Sequence, residues 1–513
     1  MARHTALLGF AQLGRYAARC PRPWHLKLLL FALTVVCGFS LFSPAIAADT
    51  GVDLQDCRIY AGPGFPGIKA RCGILLRPLN PADPASPHID LHVAVVPALT
   101  LQPEPDAFVP IAGGPGQSSI EFYAAQAGAF EKIRRKRDIV LLDQRGTGDS
   151  SPMNCELDDA AVGNDMDAAE IREATEECLE VLPQDPRYFT TSIAVQDLDA
   201  LRDELGYSQF NLYGVSYGSR VAQHYARRYP DTTRTVILDG VVPPQLALGP
   251  EIALEAQRAL QNVFDRCAED DACRERFGDL EKRFAALKAQ LDEAPVTVKL
   301  PDPTTGKPDV VEFGNTELSG ALRLLSYHPT TIALIPLLVS EAADGNFVPL
   351  AAQHVLSSSA MEEAISIGMH NAVVCTEDTP FYKESELPRE ALAQTYIGPI
   401  MLESMQTMCE VWPAGVIDDG FKEPLATSLP VLLLSGAEDP ITPPGYAERA
   451  MVELNNAKHL IGRNQGHGLA PRGCVPNVLA EFVNTAALAD LDTTCMERLF
   501  AMPFFLDFSG PAP

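Results

Sequence analysis

The 513-residue chain predicts an α/β fold built on a mostly parallel sheet and interrupted by one long helical insertion. Three observations carry this. Short runs of Val, Ile and Leu recur along the chain, helical patterns alternate with them, and one long stretch changes texture before the runs resume. Continuous apolar runs suit parallel strands buried on both faces, and strand–helix alternation is the signature of a parallel sheet.

In chain order the predicted strands are HIDLHVAVV (88–96), AFVPIAG (107–113), RDIVLLD (137–143), FNLYG (210–214) and RTVILDG (234–240), followed much later by PVLLLSG (430–436) and KHLIGR (458–463). Helical patterns fall at AVQDLDALRDELG (194–206) and SRVAQHYARRYP (219–230). Residues 251–294 read as charged, amphipathic helix, and VTVKLPDPTTGKPDVVEF (296–313) as a hairpin. The expected organisation is therefore a core over 48–244, a mainly helical cap inserted over 245–370, and the rest of the core over 371–513. A mature chain of this length exceeds what one hydrophobic core usually covers, which also favours a core with an insertion.

Residues 1–47 read as an export signal. Arg3, Arg15, Arg19, Arg22 and Lys27 precede an apolar stretch from Leu28 to about Phe42, and Ala45-Ile46-Ala47 offers a cleavage site. No later stretch is long and apolar enough to span a bilayer, so the expected product is periplasmic or secreted, without stable membrane association. Removing the signal takes away five basic and no acidic residues, so the net charge falls from −27 to −32. Such an acidic chain repels phosphate backbones, which argues against nucleic-acid partners. Ten of the 12 cysteines remain, an even number with no C-x-x-C pair, and this favours disulfides over metal ligands. Short loops cost least entropy to close, so sequential pairing is expected: Cys57–Cys72, Cys155–Cys178, Cys267–Cys273, Cys375–Cys409 and Cys474–Cys495.

The chemistry centres on Gly214-Val215-Ser216-Tyr217-Gly218. A nucleophile on a sharp strand-to-helix turn needs small residues two before and two after it, because strand and helix pack closely there. The pattern alone also fits a glycine-rich turn with a capping serine. The apolar strand before it and the helix after it supply the context that a nucleophile requires. An active serine needs a base and an acid, which follow in the order Ser, Asp/Glu, His in this architecture. His467, in NQGHG after the last strand, is the expected base; His459 lies inside the strand run. SGAEDPITPP places Asp439 just past a buried strand as the expected acid, with Glu438 the runner-up. The glycines of IAGGPGQSS (111–119) let the backbone approach a ligand, so Gly114 N–H with Tyr217 N–H is the expected oxyanion hole.

GGPG, LLDQRGTGDSS, DLDALRDELGYSQFNLYGVSYGS, ILDGV and SGAEDPITPP together resemble the proline iminopeptidase and tripeptidyl aminopeptidase branch of the α/β-hydrolases. The resemblance spans about 105–245 and 370–475, and reaches the cap mainly through its helical content and FDRCAEDDAC. It implies an α/β-hydrolase fold and a serine exopeptidase that removes one to three residues from peptide N-termini. Proline iminopeptidases usually carry a histidine before the two glycines and a tryptophan after the serine. Ala112 and Tyr217 stand there instead, and both resemble the tripeptidyl side.

An aminopeptidase must hold a free ammonium. Glu377, then Asp378, in NAVVCTEDTP are the expected anchors, although a solvated acidic loop reads equally well. HIDLH puts His88, Asp90 and His92 on one strand face, a spacing open to a metal, but an edge strand with a polar outer face explains it without one. No metal and no cofactor are expected. The expected partners are peptides. A carboxylesterase or lipase on the same scaffold is the rival reading, since a triad does not separate esters from amides, and a non-catalytic binding protein of the same fold is the other.

Overall fold

A computed structural model describes residues 51–155 and 166–511. The signal-segment reading falls on residues 1–47, outside the described residues. Eleven strands matter here: β1 (Gln55–Ile59), β2 (Ile68–Pro78), β3 (His88–Val96), β4 (Ala107–Ile111), β5 (Ile139–Leu142), β6 (Phe210–Val215), β7 (Thr233–Asp239), β8 (Val296–Pro301), β9 (Pro308–Phe313), β10 (Val431–Gly436) and β11 (Ala457–Gly462). Nine form one sheet in the order β1-β2-β3-β5-β4-β6-β7-β10-β11. From β5 to β11 neighbours pair in parallel, whereas β1, β2 and β3 add antiparallel pairs at one end. The seven strands expected from sequence are all present, within a few residues at each end.

The apolar runs explain their place. Every residue of β4, β5, β6 and β10 is buried. Side chains alternate between faces, so each run feeds two cores at once: Leu212 and Val236 join the cluster on one face, and Tyr213 and Ile237 the cluster on the other. The β1–β2 hairpin was not anticipated, and it corrects one expectation. β3 pairs with β2 on one side and β5 on the other, so it is an inner strand. His88 and Asp90 are nonetheless exposed, while Ile89 and Leu91, which alternate with them, are buried. A polar face does not need an edge position; it needs only one solvated side of the antiparallel end. Among the described residues no group of His, Cys, Asp and Glu is arranged to hold a metal, and no helix is long and apolar enough to cross a membrane.

Between β7 and β10 the chain leaves the sheet. Helices Ile252–Glu269, Asp271–Phe277 and Leu280–Glu293 lead to the antiparallel β8–β9 hairpin, and helices Asn315–Leu325, Ile335–Ala343 and Val348–Ala364 follow. These elements share a hydrophobic cluster of their own, including Leu260, Phe284, Phe313 and Leu337. Helices Ile367–Glu377 and Ile400–Val411 then run back before β10 begins, so the sheet resumes only at Val431. Five disulfides join the cysteines in sequential order, as expected, with Cα–Cα separations of 4.9–6.3 Å.

Candidate active site

Ser216 follows β6 directly and precedes helix Tyr217–Arg228, with φ 55° and ψ −126°. A non-glycine residue in that region is strained and persists only where its surroundings over-determine it. They do so here by close approach. A Cβ on Gly214 would lie 2.1 Å from the Gly218 carbonyl oxygen, and one on Gly218 would lie 2.3 Å from that of Ile111. Strand, turn and helix therefore touch backbone to backbone, and the serine side chain has nowhere to go but outward. Tyr217 opens the helix, whose first N–H groups have no acceptor within it. The Gly113–Gln117 loop runs beside the turn: a Cβ on Gly113 would meet the Ser216 Cβ at 3.0 Å.

Asp239, at the end of β7, ties this turn to the histidine loop. Its backbone carbonyl accepts from the Ser216 N–H at 2.9 Å. Its carboxylate accepts from Leu469 N–H and Ala470 N–H at 2.8 Å, just past His467, and from the Tyr213 hydroxyl at 2.8 Å. Burial raises its pKa, opposed by those hydrogen bonds. His467 is held from the helical side as well, because its N–H donates to the Tyr327 carbonyl at 2.8 Å. The Tyr327 ring stands edge-on to the imidazole, 5.2 Å between centroids.

Asp439 is fully buried and sits 2.8 Å from His467 Nδ1 through Oδ2. Its Oδ1 accepts from Ile441 N–H and Thr442 N–H at 2.9 Å, and the Thr442 hydroxyl donates to Oδ2 at 2.8 Å. Burial alone would raise its pKa, but the imidazole beside it and these donors hold it below the ordinary value. Burial likewise opposes charge on His467, yet Asp439 and Asp239 hold the imidazole pKa above its ordinary value. Glu438, the runner-up acid, instead accepts from Asn262 Nδ2 at 2.8 Å. Arg258 clamps the loop by donating to the carbonyls of Ala437 and Asp439, at 3.1 and 2.8 Å.

Ser216, His467, Gly114 and Thr442 line one cavity of about 1900 Å³, roofed by residues from the helical excursion such as Tyr327 and Ile365. Glu377 and Asp378 do not line it. The contacts correct the expectation that they anchor an ammonium. Glu377 is completely buried, and its oxygens accept from Thr191 N–H at 2.7 Å and Thr191 Oγ1 at 2.9 Å. Asp378 takes a two-pronged bond from Arg220 at 2.7 and 3.0 Å, plus Leu248 N–H at 2.9 Å. Arg220 lies on helix Tyr217–Arg228, which follows Ser216, and is itself fully buried. A buried guanidinium must be matched by carboxylates, and these are the two that match it. His459, inside β11, contacts Ser435 Oγ at 3.0 Å.

Sequence reasoning missed Asp239, Thr442, Arg258 and Tyr327. Only Asp239 carried a signal, as an acid closing an otherwise apolar strand run.

Two family models match the chain: "alpha/beta hydrolase fold" over residues 106–309 and "TAP-like protein" over residues 394–495. The chain is 25% identical over 499 residues to a tripeptidyl aminopeptidase of Streptomyces coelicolor, covering 90% of this chain and 88% of that one. It is 25% identical to the putative hydrolase YuaR of Escherichia coli K12, covering 89% and 95%. It is 26% identical to the serine protease Hip1 of Mycobacterium tuberculosis, covering 67% and 71%.

Proposed function

We propose that this chain, which has the α/β-hydrolase fold and is similar to tripeptidyl aminopeptidases and other serine peptidases, is an exported exopeptidase releasing short peptides or single residues from free N-termini. The observation that carries the catalytic part is the buried Asp439 held 2.8 Å from His467 Nδ1, with His467 and Ser216 opening into the same cavity. Bonding at Nδ1 leaves Nε2 as the basic nitrogen.

In this reading Ser216 Oγ attacks the scissile carbonyl carbon while its proton passes to His467. The carbonyl oxygen becomes an oxyanion held by the N–H groups of Gly114 and Tyr217. The carbon–nitrogen bond then breaks, and His467 delivers the proton to the departing amine. Water adds to the acyl-enzyme by the same route, giving its proton to His467, and Ser216 Oγ recovers a proton as the acid leaves. Asp439 orients the imidazole and stabilises its cation. The helical block over 245–370 acts as the cap. Its Tyr327 carbonyl and ring border His467, so the cap helps fix the base as well as roof the cavity.

Two measurements test this. A fluorophosphonate should label Ser216 and no other serine. Turnover of a tripeptide anilide should need a free amine, and equal kcat/KM for the acetylated and free substrates overturns the aminopeptidase reading and favours an esterase. Export predicts that the mature protein begins at Ala48, which N-terminal sequencing reads directly.

A further inference from the structure

Two arginines in the cavity wall have no acidic partner. Arg472 and Arg323 both line the cavity, and among the described residues their side-chain hydrogen bonds go to His328 and to the Tyr327 hydroxyl rather than to a carboxylate. By contrast the fully buried Arg220, outside the cavity, is matched by Asp378 at 2.7 Å.

The contacts that they do make are neutral. One Arg472 terminal nitrogen lies 2.9 Å from His328 Nδ1, and its Nε is buried with no hydrogen-bond partner. Asp239 attracts it through space, but that carboxylate already accepts from Leu469, Ala470 and Tyr213. Arg323 donates to the Tyr327 hydroxyl at 3.2 Å, with its guanidinium 6.0 Å from the centre of that ring. Partly desolvated guanidinium groups without a counter-charge cost free energy that an anion from outside can recover.

Their position says which part of a substrate would supply that anion. Tyr327 stands between Arg323 and the His467 ring, and His328, the Arg472 partner, is the next residue. Both cations thus lie on the His467 side of Ser216, where the leaving amine departs. Glu121, Glu362 and Glu363 line the same cavity.

We propose that Arg472 and Arg323 form a carboxylate-binding subsite for the leaving fragment, so that the enzyme favours short peptides whose C-terminal carboxylate lies just beyond the scissile bond. This rests on the peptidase reading and adds to it a preference set on the leaving side. Arg is the residue suited to the task, because its planar fork matches a carboxylate and stays charged at any working pH.

The test measures binding, so it does not depend on turnover. In the Ser216→Ala protein, calorimetry at low salt compares tetraalanine with its C-terminal amide and with an amide whose last residue is Glu. The free acid should bind about ten- to hundredfold tighter than the plain amide. Recovery of that gain by the Glu-ended amide would assign the subsite to a side-chain carboxylate, and no recovery would assign it to the C-terminus. Arg472→Gln and Arg323→Gln, each added to Ser216→Ala, should shrink the acid-to-amide ratio severalfold. Equal affinity for acid and plain amide overturns the proposal, as does a ratio unchanged in both arginine variants. Failure of the aminopeptidase reading would show separately, on acetylated and free tripeptide anilides that carry no carboxylate.

Discussion

Ser216 is reactive, on this account, because its backbone cannot relax: the glycines on either side leave no other path for the chain. The hydroxyl itself adds little to packing. Ser216→Ala should therefore fold normally and lose about 10⁴- to 10⁶-fold in kcat, and His467→Ala should lose a similar factor rather than an additive one, since the residues act as a unit. Circular dichroism with single-turnover kinetics checks both. A pH dependence follows from the same residues. The base works only as neutral imidazole, and the carboxylates of Asp439 and Asp239 hold its pKa above the ordinary histidine value. The acid limb of kcat/KM should therefore fall with a midpoint above about 6.5. Asp439→Asn removes the stronger of these attractions, so the midpoint of any residual activity should move down; an unmoved limb would assign the titration to another group.

At the scale of elements, the helix that follows Ser216 is fastened from below. Arg220, one turn along it, reaches Asp378 at the end of helix Ile367–Glu377, and Lys422 approaches the same carboxylate at 3.3 Å. Burial would raise the Asp378 pKa, but Arg220 and Lys422 hold it below the ordinary carboxylate value. A carboxyl with a depressed pKa contributes stability above its unfolded pKa, about 3.9, and loses it as pH falls through the lower folded value. Asp378→Ala leaves the guanidinium buried without its main partner and should cost about 3–5 kcal/mol at pH 7. Urea unfolding measures this, and the gap between wild type and variant should narrow as the pH falls below 4. A loss under about 1 kcal/mol would mean that Glu377 alone, 3.6 Å from Arg220, suffices. Had these carboxylates been free to meet a substrate, Arg220 would have had nothing to balance it.

At the scale of the whole molecule, Cys375–Cys409 joins helix Ile367–Glu377 to helix Ile400–Val411 across 34 residues. Closing a loop of that length limits the unfolded chain by up to about 4 kcal/mol. The double variant Cys375→Ala, Cys409→Ala should unfold at a Tm several degrees lower, and calorimetry under oxidising conditions tests it. The parallel half of the sheet was legible in the sequence because strands buried on both faces are written as unbroken apolar runs, as in VLLLSG. The β1–β2 hairpin was not, because IKARCGILLRP interleaves charges with apolar residues and half of its side chains meet solvent. Ser216, His467 and Asp439 were each recognisable as a polar residue placed where a buried strand or its following loop ends. The sequence by itself determined that order of strands and strand ends, since burial and backbone geometry act on neighbouring residues. Only the tertiary structure decided what those residues meet. Asp239 spans from the serine turn to a loop 230 residues away, Tyr327 enters from the helical excursion, and Glu377 and Asp378 turn inward to Arg220. The reason is that a carboxylate's role is set by the charges and donors that the fold brings to it from distant parts of the chain, and no local pattern records them.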